Sequence, residues 1–156
     1  MAQAFSEVVN LARRYCHLIE VAANCDPGWL VQMAEILPRL QAALVSYDEE
    51  VEAPGAYSLP DLDACFELYR QLAERLGDRD HYWLEYDQFG EGATGSLAAD
   101  LGDIYWQLKQ GLLIADTFTD GVRPDWPEAF PTHWGRHLID AHRQLVALAA
   151  QGRLAR

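Results

Sequence analysis

Apolar side chains recur every three to four residues in five segments of this chain of 156 residues, and this spacing constrains its fold more than any other feature. Side chains at positions i, i+3, i+4 and i+7 share one face of an α-helix. The pattern runs over residues 3–24, 30–44, 62–76, 96–116 and 133–151. It predicts an all-α, single-domain helical bundle of about five helices covering residues 1–156.

Capping residues, prolines and glycines predict where these helices begin and end. Asp26 followed by Pro27 is typical of a helix start, because the carboxylate can cap and proline tolerates the first turn. Pro38 lies inside the second helix and predicts a kink there, or two short helices, because an interior proline removes a hydrogen bond. A capping box at Ser58–Asp61 is expected to open the third helix, and further boundaries are expected at Gly77, Ser96, Thr132 and Gly152.

Two segments are harder to interpret. The third helix is expected to bury a stripe made of Leu62, Cys65, Phe66, Tyr69, Leu72 and Leu76. Residues 78–95 are rich in aromatic residues but lack a clear period, so a strand, an extended segment and a helical turn all remain open. The run GEGATG (90–95) matches the spacing of a dinucleotide-binding loop, yet no strand–turn–helix–strand unit surrounds it, so we do not expect a nucleotide site.

The charge of the chain limits its partners. Twenty-four acidic and twelve basic residues give a formal net charge of −12. Such a surface repels phosphate backbones and anionic lipids, which argues against nucleic acid and membrane partners. Four acids cluster in the loop at Asp48, Glu49, Glu50 and Glu52. A charged partner is therefore expected to be basic, although a solvated acidic surface explains the charge equally simply.

Location follows from what the sequence lacks. The N-terminal residues show no basic start followed by an apolar run, and no stretch approaches the ~20 apolar residues of a membrane span. Cys16, Cys25 and Cys65 are odd in number and lack C-x-x-C spacing, which is typical of free thiols in a reducing compartment. We expect a cytoplasmic protein.

The candidate chemistry lies beside the apolar stripes of the last two helices. At about 100° per residue, Asp100 and Asp103 share one flank of the fourth helix, and His133, His137 and Asp140 share the matching flank of the fifth. We predict one polar cluster between the two helices. Its expected members are Asp100, Asp103, Tyr105, His133, Arg136, His137 and Asp140.

Three interpretations of this cluster stay open. A structural network, with Asp100 or Asp103 accepting from His137, Arg136 or Tyr105, would satisfy buried polar groups. A divalent metal site would use Asp100, Asp103, His133 and His137, because imidazoles at i and i+4 face the same way. A His–Asp pair would serve general acid–base chemistry. No other cofactor is predicted.

A second surface is suggested by Trp106 and Leu113. Both lie nearly opposite the apolar stripe of the fourth helix, so they meet either a second layer of the fold or a second molecule. Burial beneath the aromatic segment 82–89 is the simpler interpretation. A homodimer interface is the other.

Two stretches resemble a known bacterial family. The segments GSLAADLGDIYWQLKQGL (95–112) and HWGRHLIDAHRQL (133–145) are similar to the signature stretches of the domain of unknown function 5063. The resemblance implies a small, all-helical bacterial cytoplasmic protein with no assigned activity, substrate or cofactor. The matching positions include Asp100, Asp103, Tyr105, His133, Trp134, Gly135 and His137.

Three functional hypotheses follow. The leading one is a non-enzymatic accessory or protein-interaction domain that binds a partner protein or a second copy of itself. The first alternative is a metal-dependent enzyme using the Asp/His flank. The second alternative is an acidic mimic or immunity-type protein that binds a basic partner.

Overall fold

Helices dominate the fold. The computed structural model describes residues 2–47, 60–84, 93–117 and 123–155. In chain order its elements are α1 (Ala2–His17), a first π-helical turn (Leu18–Ala22), α2 (Ala23–Cys25), α3 (Trp29–Ser46), α4 (Leu62–Leu76), a 3-10 turn (Gly77–Arg79), β1 (His81–Leu84), β2 (Ala93–Ser96), α5 (Leu97–Thr117), α6 (Trp126–Ala129), a second π-helical turn (Phe130–Trp134) and α7 (Gly135–Ala150). The elements form five helical stretches, so the prediction of an all-α bundle is confirmed.

Four helices enclose the core. Helix α1 packs against α3, α3 against α7, α7 against α5, and α5 against α1. Their apolar stripes meet inside this ring, where Leu37, Leu101 and Leu138 are fully buried. The Tyr15 hydroxyl is also buried, and it donates to the Leu101 carbonyl oxygen at 2.7 Å. The stripes predicted for the last two long helices are the ones that fill this core.

Helix α4 lies outside the ring against α5, and its predicted stripe is only partly covered. Leu72 and Leu76 are buried, but the side chains of Leu62 and Phe66 are 81% and 66% exposed. The prediction that all six residues of the stripe are buried is therefore wrong. An amphipathic pattern identifies an apolar face, but the length of that face that neighbouring helices cover depends on the tertiary packing.

Helix α3 starts later than expected. Its N-cap is Gly28, and the Asp26 carboxylate accepts from the Gly28 N–H at 2.8 Å instead of capping the helix. The start at Asp26–Pro27 was therefore two residues too early. The helix then continues past Pro38 to Ser46 as one element, not as two short helices. The kink at Pro38 stays a prediction.

The last helical stretch begins before the expected cap. Thr132 lies inside the second π-helical turn, and its hydroxyl donates back to the carbonyl oxygens of Glu128 and Ala129. It is not an N-cap, which corrects the prediction. Glycine follows the end of α4 and the end of α7, as predicted. Gly77 and Gly152 adopt positive φ angles of 56° and 66° there.

The segment left open between 78 and 95 contributes a small hairpin. Strands β1 and β2 pair antiparallel, with His81 opposite Ser96 and Leu84 opposite Ala93. Ser96 then caps α5, since its Oγ accepts from the Ala99 N–H at 3.1 Å. The acidic loop 48–52, Ser58 and the glycines at 90 and 92 lie outside the described residues.

Within the described ranges, no helix combines the length and the apolarity that crossing a membrane requires.

Candidate functional site

One imidazole stands between two carboxylates where α5 and α7 pack together. His137 Nδ1 lies 2.8 Å from Asp100 Oδ1, and His137 Nε2 lies 3.3 Å from Asp103 Oδ2. Asp100 and Asp103 share one flank of α5 because they are separated by three residues, and α7 presents His137 to both. The structure thus brings together three of the residues that the spacing argument selected.

The hairpin adds a fourth member. The Tyr82 hydroxyl on β1 donates to Asp100 Oδ2. Gly95 lies opposite Tyr82 on β2, and a Cβ at this glycine would come closer than 3.0 Å to the tyrosine ring. Glycine at position 95 therefore lets the ring pass over β2 and reach Asp100. Sequence analysis missed Tyr82, and only the strand register could have revealed it.

The cluster favours a charged imidazole. The pKa of His137 is raised, chiefly by its hydrogen bond to Asp100, and the carboxylates of Asp103, Asp100 and Asp140 add to this effect against the opposing effect of burial. Partial burial raises the pKa of Asp103, which His137 opposes and Asp100 reinforces. Asp100 itself is buried and holds one partner on each oxygen. Because Nδ1 is hydrogen-bonded to Asp100 and Nε2 lies within ion-pair distance of Asp103, the arrangement suits a charged imidazolium.

Asp80 fixes the start of α5 beside this cluster, and sequence analysis missed it as well. Its carboxylate is buried and accepts from the Ala98 N–H at 2.7 Å and from the Ser96 hydroxyl at 2.9 Å. Its carbonyl oxygen also accepts from the Leu97 N–H at 2.9 Å. A carboxylate at a helix N-terminus accepts from unpaired N–H groups and interacts favourably with the positive end of the helix dipole. Asp80 thereby holds the hairpin and the first turn of α5 in register.

Tyr105 and His133 lie apart from the cluster, which corrects two of the predicted members. The Tyr105 hydroxyl donates to Glu20 Oε1 at 2.7 Å, and Lys109 Nζ lies 2.6 Å from the same oxygen. His133 is exposed, and its Nδ1 lies 2.7 Å from Thr132 Oγ1. The partner of Tyr105 is on the first π-helical turn, and His133 lies within the second one, so spacing along the chain could not identify either contact.

Arg136 and Asp140 border the cluster from α7. Arg136 Nε lies 3.9 Å from Asp140 Oδ2, one helical turn away, and Asp140 is buried. Asp140 acts on His137 through its charge, and no direct hydrogen bond joins the two among the described contacts.

These residues do not fit a metal ion. The two carboxylates occupy opposite edges of the imidazole, so Asp100, Asp103 and His137 do not converge on one point. His133 belongs to a different surface. Among the described residues, no group of three or more His, Cys, Asp or Glu side chains has an arrangement that could hold a metal ion. The geometry does not support the metal-site alternative.

A groove of about 490 Å³ lies next to the cluster, along the second π-helical turn and α7. Its lining is formed by Phe130, Pro131, Gly135, Arg136, Ile139, Asp140 and Arg143. The π-helical turn widens the backbone here, because the Gly135 N–H donates to the Phe130 carbonyl oxygen five residues earlier. A Cβ at Gly135 would come closer than 3.0 Å to that oxygen, so glycine makes the turn possible. Phe130 packs edge-on against the buried Trp134, with their ring centroids 5.0 Å apart.

The two residues of the predicted second surface differ from each other. The Leu113 side chain is 58% exposed, whereas Trp106 is partly buried against the core and packs edge-on against Tyr105. The indole Nε1 of Trp106 is buried and has no hydrogen-bond partner among the described residues. The structure therefore favours a covered Trp106 over a fully exposed one, and a dimer through this surface stays a prediction.

Comparisons with known proteins agree with the sequence resemblance. A family described as Domain of unknown function (DUF5063) matches residues 1–151. The crystal structure of protein BF1032 from Bacteroides fragilis is similar, with a TM-score of 0.76 and 23% sequence identity. The likeness covers 93% of this chain and 91% of that chain, and at this identity it shows the fold alone. A comparison with curated proteins finds no match.

Proposed function

The chain belongs to the DUF5063 family, for which no activity is assigned, and on that premise we propose that it is a non-enzymatic protein-binding domain. The binding surface is the groove beside the second π-helical turn. The partner is a protein segment that presents one large apolar side chain next to a carboxylate. The observation that carries the proposal is an apolar groove of about 490 Å³ bordered by two arginines on the outer side of α7.

The apolar part of the groove supports a side-chain anchor. Ile139 is 44% exposed and lies on the opposite side of α7 from the buried Leu138 and Ala141. Together with Phe130 and Pro131 it forms the groove walls. Burying one large apolar side chain in such a groove contributes roughly 1.5–3 kcal/mol. Large apolar anchors in pockets of this kind dominate the binding energy of many protein interfaces.

The charged part supports a carboxylate beside that anchor. Arg136 and Arg143 line the groove, and with one buried aspartate between them the lining has a formal charge of +1 (two arginines, one Asp140). The chain as a whole carries −12. The lining is thus positive by formal charge in an acidic chain, and exposed charges farther away than about 8 Å are largely screened at physiological ionic strength. Arginine also binds carboxylates with two parallel hydrogen bonds.

The polar cluster supports a structural role for His137 better than catalysis. A general base needs a ring nitrogen with a lone pair directed at substrate. Each ring nitrogen of His137 faces a carboxylate, at 2.8 Å and 3.3 Å. The cluster instead ties the hairpin, α5 and α7 together next to the groove. It thus holds the binding surface in one shape.

We place this domain in the cytoplasm of a bacterium. Cys16, Cys25 and Cys65 are unpaired within the described part of the chain. Free thiols persist in a reducing compartment.

A random-peptide display library tests the proposal without knowledge of the natural partner. The whole chain is the bait, and selected peptides are sequenced and synthesised. We expect a consensus with a large apolar residue and an acidic residue within a few positions. Binding of the synthetic peptides should weaken at least tenfold in Ile139→Glu and several-fold in Arg143→Gln.

Val31→Glu is the matched control, because Val31 on α3 is 39% exposed and the substitution changes the charge equally. Peptide binding by this variant should stay within twofold of the unaltered chain. Peptides that bind Ile139→Glu as tightly as Val31→Glu, or a selection without an apolar–acidic consensus, would refute the proposal.

A further inference from the structure

A second cavity, of about 300 Å³, lies on a different part of the molecule. Its lining includes Asn24, Asp26, Pro27, Trp29, Arg75 and Arg79. The first π-helical turn, Leu18–Ala22, leads directly into it, and turns of this kind occur frequently at functional sites. Its volume is at the lower end of the range for small-molecule sites. The proposed binding groove shares no lining residue with it.

Two arginines in this cavity lack carboxylate partners. Arg75 Nη2 donates to the Asn24 carbonyl oxygen at 2.8 Å and to Asn24 Oδ1 at 3.2 Å. Arg79 donates to three backbone carbonyl oxygens at 3.3–3.4 Å, those of Leu76, Leu154 and Arg75. Within the described part of the chain, no carboxylate oxygen lies within 4.0 Å of either guanidinium.

The chain has twice as many acids as bases, and several of its other arginines pair with a carboxylate. Arg70, one turn before, shows the ordinary case: its three guanidinium nitrogens bind Glu67 and Glu74 at 2.9–3.2 Å. Neutral carbonyl oxygens hold the guanidinium of Arg79 in place but leave its charge uncompensated. Arg75 also keeps Nε and Nη1 without a hydrogen bond to any described residue. An arginine has five N–H donors, so both side chains retain donors for a ligand.

The rest of the lining limits the ligand to a small anion. Asp26, the only carboxylate among the described lining residues, already accepts from the Gly28 N–H at 2.8 Å and from Gln32 Nε2 at 2.7 Å. Two arginines and this one aspartate leave a formal charge of +1 in the cavity. Trp29 and Pro27 supply an apolar wall on which a few carbon atoms can rest.

We propose that the Arg75–Arg79 cavity binds a phosphate group, carried by a small phosphomonoester or present as free phosphate. Two guanidinium groups one helical turn apart provide charged, forked donors, and this geometry suits phosphate oxygens. The site is independent of the groove on α7, so either proposal can fail alone.

Arginine side-chain Nε–Hε signals in an NMR titration with inorganic phosphate test the site, at constant ionic strength set with chloride. We expect saturable shifts at Arg75 and Arg79 that fit one dissociation constant, while Arg70 moves only linearly. A second titration with glycerol 3-phosphate identifies the source. Tighter binding of the ester means that the apolar wall takes part, and equal binding means that free phosphate is the ligand.

Substitutions complete the test. Arg79→Gln should weaken the phosphate response of Arg75 at least tenfold, and Arg75→Gln should do the same to Arg79. Arg70→Gln removes the same charge from the same helix and should change the affinity by less than twofold. Circular dichroism checks that each variant folds. If Arg75→Gln does not fold, Arg75→Lys replaces it, because lysine keeps the charge but lacks the forked donors of arginine. Linear shifts at all three arginines, or equal losses in Arg70→Gln and Arg79→Gln, would overturn the proposal.

Discussion

Two glycines on α5 make opposite predictions for the same substitution. A Cβ at Gly111 would come closer than 3.0 Å to three atoms of the Trp126 indole. That indole is 2% exposed, and its Nε1 donates to the Gln107 carbonyl oxygen at 3.1 Å. A Cβ at Gly102 would meet no atom outside its own helix within 4 Å. Gly111→Ala must therefore displace a buried ring, whereas Gly102→Ala fills empty space.

The change in the free energy of unfolding in each variant combines a gain in helix propensity with any cost of overpacking. Alanine is favoured over glycine in a helix by about 1 kcal/mol, so Gly102→Ala should stabilise by up to about 1 kcal/mol. Gly111→Ala gains the same amount but adds overpacking of about 1–3 kcal/mol and weakens a hydrogen bond that contributes about 1 kcal/mol. Its net effect is a destabilisation of about 1–3 kcal/mol. The two variants should differ by roughly 2–4 kcal/mol.

Urea unfolding followed by circular dichroism measures both variants against the unaltered chain. The transition midpoint should move up for Gly102→Ala and down for Gly111→Ala, with unchanged slopes. Because Trp126 begins the helical stretch that carries the groove, Gly111→Ala should also weaken binding of the selected peptides. Equal stability of the two alanine variants would refute the packing of α6 against α5.

Three further predictions concern the cluster, the hairpin and the thiols. The raised pKa of His137 means that this residue stabilises the fold fully below its ordinary pKa and that the stabilisation is lost as pH rises through the raised value. The free energy of unfolding of the unaltered chain should therefore exceed that of His137→Gln by about 1 kcal/mol less at about pH 9 than at about pH 6, a figure discounted because the His137 side chain is 37% exposed. A difference that stays constant with pH would contradict the geometry. Gly95→Ala should destabilise by about 1–2 kcal/mol because the new Cβ displaces the Tyr82 ring, and a double-mutant cycle with Tyr82→Ala should recover most of this loss if the contact is real. Burial raises the pKa of Cys16 to about 12, so iodoacetamide near pH 8 should alkylate the exposed Cys25 readily and Cys16 only on unfolding; mass spectrometry that finds both modified in the folded chain would refute this.

Uninterrupted periodicity made the core predictable. The stripes of α5 and α7 contain Leu101, Leu108, Leu138 and Leu145, and all four are buried as the spacing predicted. The apolar spacing on α4 also predicted that Phe66 is buried, but this side chain is exposed, because an apolar face does not reveal which neighbouring elements cover it. The two π-helical turns were also hidden, because each is only five residues long and no spacing of apolar residues distinguishes so short a segment from an α-helical turn.

The candidate site was predictable only where its residues lie on two helices with matched flanks. Asp100, Asp103 and His137 follow from spacing along α5 and α7. Tyr82 reaches Asp100 through a strand register that joins residues 81–96, and Tyr105 binds Glu20 at a separation of 85 residues. Contacts of that range depend on the packing of whole elements, which no local pattern encodes.

Site-specific photocrosslinking shows whether the groove on α7 binds a protein segment. A benzophenone amino acid replaces Ile139 in one variant and Val31 in the other, and each is irradiated with a selected apolar–acidic peptide. We expect a crosslinked product from position 139, mapped by mass spectrometry to the apolar residue of the peptide, and little product from position 31. Equal yields at the two positions, or a product only at position 31, would contradict it.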